Sequence, residues 1–225
     1  MHRRIYWSVI GFGVLWAASA AGQDAVKVSP SDYQVELENQ WVRVLRIKHA
    51  PHARIAMHEH PAAALVFLTD LHERVTSSDG KVTEVIHKAG ETAFNPPVRH
   101  MEENPSDHPL EAIMVELKPG APEPAETVKL DPVKLDPDHH LVDFENDRVR
   151  ILRTILEPHL KSPMHEHPHY VVVYLTELHT TMALADGRRV DNPRRPGEVA
   201  WRDFMKHQTE NIGPKRAVEI QIELK

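Results

Sequence analysis

The chain has 225 residues, a formal net charge of -6 at pH 7 and no cysteine, enough length for one large core or two small ones. Its charges are spread without a long basic run, so a nucleic-acid interface has no electrostatic footprint. Disulfides and lipid attachment through an N-terminal cysteine are excluded, which leaves core packing, with help from metal, to supply stability.

From the N-terminus, His2, Arg3 and Arg4 precede an apolar stretch from Ile5 to Ala17, and Ala18-Ser19-Ala20 or Ala20-Ala21-Gly22 offers a small-residue cleavage site. Residues 1–22 are therefore expected to be a cleaved signal peptide, with an uncleaved anchor as the alternative. The stretch is shorter than the ~20 residues a spanning helix needs. The mature protein is expected in the periplasm or secreted, with no stable membrane span after cleavage. Asp24 to Ser31 is polar and reads as a loose lead-in.

Residues 33–118 and 140–225 align without a gap at a constant offset, Met57 matching Met164, and roughly a third of the paired positions are identical. The chain is a tandem duplication. Between the copies, residues 119–139 carry Pro119, Pro122, Pro124, Pro132 and Pro137. This Pro-rich linker is expected to exclude regular helix or strand and to run extended.

Within each copy the pattern is of short strands. Trp41 to Lys48 and Arg148 to Ile155 are rich in Val, Ile and Leu, and Ala64 to Leu68 and Val171 to Leu175 are apolar runs expected to be covered on both faces. Asp79-Gly80 and Asp186-Gly187 are matched hairpin turns. In the last strand of each copy, Ile113, Val115 and Leu117, like Ile220, Ile222 and Leu224, should face a core, with Glu116 and Glu223 facing water. No helical period persists, so the mature protein is expected to be all-β, with two small barrels or sandwiches.

The chemistry repeats with the fold. Met57-His58-Glu59-His60-Pro61 matches Met164-His165-Glu166-His167-Pro168, and His100 with Asn104 matches His207 with Asn211. On a strand the paired histidines share a face, roughly 7 Å apart at the Cα, and Glu59 and Glu166 point the other way. A third histidine from another strand completes a set that can converge on one ion, His58, His60 and His100 in the first copy and His165, His167 and His207 in the second. The alternative is a histidine-filled lumen held by hydrogen bonds. His165 to His169 also spells the H-E-x-x-H pattern of zinc proteases, but that pattern needs a helix and Pro168 sits inside the would-be turn.

These residues resemble the cupin superfamily, small β-barrels of the double-stranded β-helix or jelly-roll type built around a two-part metal motif. Gly90 through His100 to Asn104, and Gly197 through His207 to Asn211, resemble its second part. The likeness covers nearly all of the mature chain twice, so the chain is similar to bicupins, with cupin-like domains at 33–118 and 140–225. The family's motif glutamate is missing: Ala64, Leu65, Val171 and Val172 stand where it would fall. The resemblance implies three-histidine sites for a divalent transition metal (Fe, Mn or Zn), with neutral donors only and an open position.

Among the remaining matched residues, His72 and His179 are expected at the surface and His52 and His159 in turns. Asn104 and Asn211 should satisfy backbone groups. Glu103 and Glu210 have the wrong parity to reach the histidines. Phe94 and Trp201 read as core, and Tyr170 and His169 stand near the second site. Ala62 to Ala64 leave room at the first site, whereas Tyr170 to Val173 crowd the second.

What the resemblance implies is an exported metal-dependent enzyme of dioxygenase, decarboxylase or isomerase type on a small organic, anionic substrate. The alternative is a non-catalytic periplasmic module that binds a small molecule or metal. A homodimer is one expected arrangement, and pairing of the two copies with each other is the other.

Overall fold

The computed structural model describes residues 23–120 and 127–225; the expected signal peptide, residues 1–22, lies outside the described residues, as does the linker segment 121–126. In the first half the strands are Tyr33–Glu38 (β1), Val42–His49 (β2), Arg54–His60 (β3), Ala63–Phe67 (β4), Leu71–Ser77 (β5), Val82–His87 (β6), Thr92–Asn95 (β7), Val98–Glu103 (β8) and Leu110–Leu117 (β9). In the second they are His140–Glu145 (β10), Val149–Leu156 (β11), His165–His167 (β12), Tyr170–Tyr174 (β13), Leu178–Leu184 (β14), Arg189–Arg194 (β15), Val199–Arg202 (β16), Met205–Asn211 (β17) and Ala217–Leu224 (β18). Two short helices, Ala25–Val28 (α1) and Pro132–Leu135 (α2), precede the two sets. Neither is long and apolar enough to cross a membrane.

Each half is a sandwich of a five-stranded and a four-stranded antiparallel sheet. The orders are β1-β2-β9-β4-β7 with β3-β8-β5-β6, and β10-β11-β18-β13-β16 with β12-β17-β14-β15. Alternation along the central strands explains what each face meets. Val42, Val44, Ala64, Val66, Ile113 and Val115 turn outward, toward Val149, Ile151, Val171, Val173, Ile220 and Ile222 of the other half, in one continuous core. Leu45, Ile47, Ala63, Leu65, Ala112 and Met114 turn into the first sandwich. The central strands β4 and β13 are buried at every residue. Both hairpin tips hold a glycine at positive φ, Gly80 at 85° and Gly187 at 84°, where a side chain would be strained.

Two expectations are overturned here. Glu116 and Glu223 do not face water: both are 1% exposed. Alternation put them opposite the Ile and Val residues correctly, but that second face is the interior of the sandwich, because the halves cover each other's outer faces. The segments before β1 and β10 are likewise not loose or purely extended. Asp24 and Asp131 cap α1 and α2 through Val26 N and Val133 N, and Pro132 occupies the first turn of α2, where its missing N–H costs nothing. These turns are tied down by Arg43 to Asp24 at 2.6 Å and Arg150 to Asp131 at 3.1 Å. The repeated Asp-x-Val-Lys-x-x-Pro of residues 24–30 and 131–137 was a readable signal of this.

Candidate metal centres

In the first half a register shift between Ile55 and His58 sets the end of β3 so that His58 lies directly opposite His100 on β8. His60, two residues on, shares their face. The three rings are packed at centroid separations of 4.8 Å (His58–His60), 4.8 Å (His58–His100) and 5.6 Å (His60–His100). In the second half His165 on β12 lies opposite His207 on β17, with centroids at 4.9 Å to His167 and 4.5 Å to His207. One ligand nitrogen from each member of a triad lies within 4.8 Å of the others, and all six histidines are buried.

Outer groups fix the ring orientations. His58 Nδ1 and His165 Nδ1 donate to the carbonyls of Ala56 and Pro163, each at 2.8 Å. His60 Nδ1 bonds Glu116 Oε1 at 2.8 Å and His167 Nδ1 bonds Glu223 Oε1 at 2.6 Å. Those carboxylates are held in turn by Arg43 and Arg150, each at 2.6 Å. Each half thus has an Asp–Arg–Glu–His chain that runs from a partly exposed Asp and Arg at its short helix to a buried Glu and His at its centre, an arrangement that fixes the tautomer and raises the basicity of a ligating imidazole.

The donor nitrogens are left over. His60 Nε2, His100 Nε2, His167 Nε2 and His207 Nδ1 are buried with no hydrogen-bond partner. Such orphaned polar atoms are rare unless a missing partner completes them. Burial also favours the neutral form of His58, His100, His165, His167 and His207. It depresses His58 and His165, and pushes His100 down to about 4. Burial, followed by the neighbouring imidazoles, holds His167 and His207 well below the usual range. Neutral imidazoles with converging lone pairs fit a divalent transition metal.

The two centres differ in what surrounds them. Glu102, two residues beyond His100 on the same face of β8, is buried with Oε1 3.3 Å from His100 Nε2 and Oε2 3.6 Å from His58 Nε2. Burial would raise its carboxyl, but the imidazoles of His100, His49 and His58 and the Tyr33 hydroxyl outweigh that and hold it below the usual range. Tyr33 donates to Glu102 and lies 3.1 Å from His58 Nε2. The first centre therefore has a carboxylate beside it, against the expectation of neutral donors only. Glu103 points away to Arg54 and Arg74, as its parity requires. In the second half Thr209 stands at the Glu102 position, and His140 replaces Tyr33 with its ring 5.0 Å from His165.

Space also differs. A cavity of about 270 Å³ runs up to His100 and Glu102, walled mainly by Ile47, Leu65, Phe67 and Met114. Beside His165 and His207 only about 10 Å³ is open, and the buried Tyr170 ring packs 5.1 Å from His167. A larger cavity, about 930 Å³, is an open groove between the halves that includes Arg46 and Gly197 and none of the histidines; size alone does not mark the chemistry.

The other matched residues have plain places. His72 and His179 are surface side chains beside Glu84 and Glu177. His52 and His159 sit in turns at positive φ. Asn104 and Asn211 each donate to three backbone carbonyls and brace the strand after the centre. Phe94 stacks on Phe144 across the halves, and His169 stacks on Trp201.

No protein-family model matches the chain and no curated protein sequence matches it. Solved structures do. AerE from Microcystis aeruginosa superposes with TM-score 0.60 at 12% identity, over 86% of this chain and 97% of its own. A variant of oxalate decarboxylase from Bacillus subtilis superposes with TM-score 0.56 at 13% identity, over 90% of this chain and 71% of its own. Another structure of that enzyme, concerned with its Mn(II) centres, matches with TM-score 0.56 at 13% identity over 86% and 75%. The chain shares its fold with these structures.

Proposed function

We propose that this cupin-fold chain is an exported metal-dependent enzyme whose working site is the first centre. The observation that carries the reading is a triad with buried, partnerless donors on His60 and His100, of which His100, with Glu102 beside it, lines a cavity of about 270 Å³. His58, His60 and His100 would hold a divalent transition metal (Fe, Mn or Zn), and His165, His167 and His207 a second. When bound, the ion supplies Lewis-acid polarisation of a substrate oxygen or activation of O₂.

The chain's own groups do the rest. The apolar walls exclude water and fit the body of a small organic molecule. No Lys or Arg lines the cavity, so an anionic group on the substrate would be received at the ion. Glu102 offers a carboxylate within reach of that position, a base that the motif alone did not supply. The Tyr33 hydroxyl keeps a proton between Glu102 and His58. The crowded second centre is assigned to binding and stability. Export rests on the N-terminal sequence. The mutual cover of the two outer sheet faces supports a chain that needs no second copy for them.

The test combines metal content of the mature protein with a small-molecule screen read as O₂ consumption or CO₂ release. His60→Ala should lower bound metal and abolish turnover; His167→Ala should lower metal and leave turnover. A folded protein that takes up no iron, manganese or zinc overturns the proposal and leaves the histidines as lumen filling.

A further inference from the structure

Beside the first triad lies a second group of ligand-type side chains that the motif does not include. His49 on β2, Glu73 on β5 and Glu102 on β8 bring one ligand atom each within 4.8 Å of one another, all buried. His49 Nδ1 is fixed by Glu73 Oε1 at 2.6 Å. That bond aims Nε2 inward, where it is buried, without a hydrogen-bond partner, and 3.9 Å from Glu102 Oε2. The arrangement repeats that of His60 on Glu116: a carboxylate holds one nitrogen and the other is presented.

The charges point the same way. Buried Glu116 and Glu223 are matched by Arg43 and Arg150, and Glu166 by Lys206. Glu73 and Glu102 are buried together, and among the described residues no Lys or Arg lies within ion-pair distance of either. Two carboxylates buried this close, with the His49 imidazole as their shared partner and the cavity beside them, favour a further positive charge between them. The second half serves as an internal control. Leu156, Thr180 and Thr209 stand at the three equivalent positions, so this group is specific to the half that has the cavity.

We propose that His49, Glu73 and Glu102 form a second divalent-cation site next to the three-histidine centre, with Glu102 bridging the two ions. Glu102 Oε1 faces His100, while Oε2 faces both His58 and His49, as a bridging carboxylate must. Tyr33, which touches Glu102 and His58, is the hydroxyl between them. The inference rests on the first triad being a metal centre.

The test is titration of the metal-free mature protein with Mn²⁺, read as bound manganese per chain and by electron paramagnetic resonance. Wild type should bind one more Mn²⁺ per chain than His49→Leu, which installs the residue the second half carries, and one more than the isosteric Glu73→Gln. Its spectrum should show spin-coupled manganese that both variants convert to isolated ions. Equal counts in wild type and variants, with only isolated manganese at saturation, overturn the second site and leave the triads standing. No bound Mn²⁺ in wild type overturns both readings.

Discussion

At the scale of single residues, position on a strand decides chemistry. Glu116 and Glu223 are one residue from apolar neighbours, yet each controls a histidine. Replacing Glu116 by Gln weakens the bond to His60 Nδ1 and leaves the Arg43 guanidinium, only partly exposed, short of a counter-charge. Loss of such an outer partner is expected to lower metal affinity at the first centre by about 10–100-fold. Arg43 keeps Asp24 as an acidic partner, so the weakened buried hydrogen bonds should also destabilise by about 1–3 kcal/mol. Chelator competition and urea unfolding of Glu116→Gln check the two effects separately. Glu102 was legible in principle, since it is two residues from His100 and shares its face. It was passed over because the motif directs attention to Asn104 and to the missing carboxylate near Ala64.

At the scale of elements, the helical turns before each sandwich are small but placed at the root of the Asp–Arg–Glu–His chains. Asp131→Ala removes the cap of α2 and the contact to Arg150. A lost cap is worth ~1 kcal/mol; the unfolding free energy from urea titration should fall by that amount or more, with metal affinity at the second centre falling too. Asp24→Ala should do the same for the first. At the β14–β15 hairpin, Gly187 has φ of 84° and open space around it. Gly187→Ala should therefore cost ~1 kcal/mol through backbone strain alone, read as a small drop in Tm with metal content unchanged. Strands were legible from Val- and Ile-rich runs and turns from Asp-Gly. The turns α1 and α2 show no period over four residues, and only the repeated Asp-x-Val-Lys-x-x-Pro marks them.

At the scale of the whole molecule, the outer faces of the two five-stranded sheets share one core, so the halves should unfold together. Within residues 23–225 the tryptophans are Trp41 and Trp201, one in each half. Single-tryptophan variants, Trp41→Phe and Trp201→Phe, should report coincident urea midpoints, and separated midpoints would show independent halves. Acid should destabilise the metal-free protein. His100 and His140 are held at about 4 by burial, against an ordinary value of 6.5. Their contribution is complete above pH 6.5 and lost as pH falls toward 4, where the unfolded chain takes up protons that the folded one refuses. Glu73 and Glu219, raised to about 7 chiefly by burial, and Glu223, raised to about 6, act in the opposite sense across pH 4.5 to 7. His58, His165, His167 and His207 are depressed in the same sense as His100 and His140, six imidazoles against three raised carboxyls and the raised His49, so Tm should fall between pH 6.5 and 4, and His140→Phe should flatten the fall.

The linear sequence by itself determined the duplication, the strands, the hairpin turns and the six histidines, because each depends on local spacing and on a period of two along a strand. Period two also assigned every residue to one of two faces. Which face is wet was settled only by the tertiary structure, since a sheet that covers its neighbour on one side and closes a sandwich on the other has no wet face. The same closure brings β2, β5 and β8 together, and so gathers Tyr33, His49, Glu73 and Glu102 around the first centre. Those contacts join residues distant in sequence, and no local pattern encodes them.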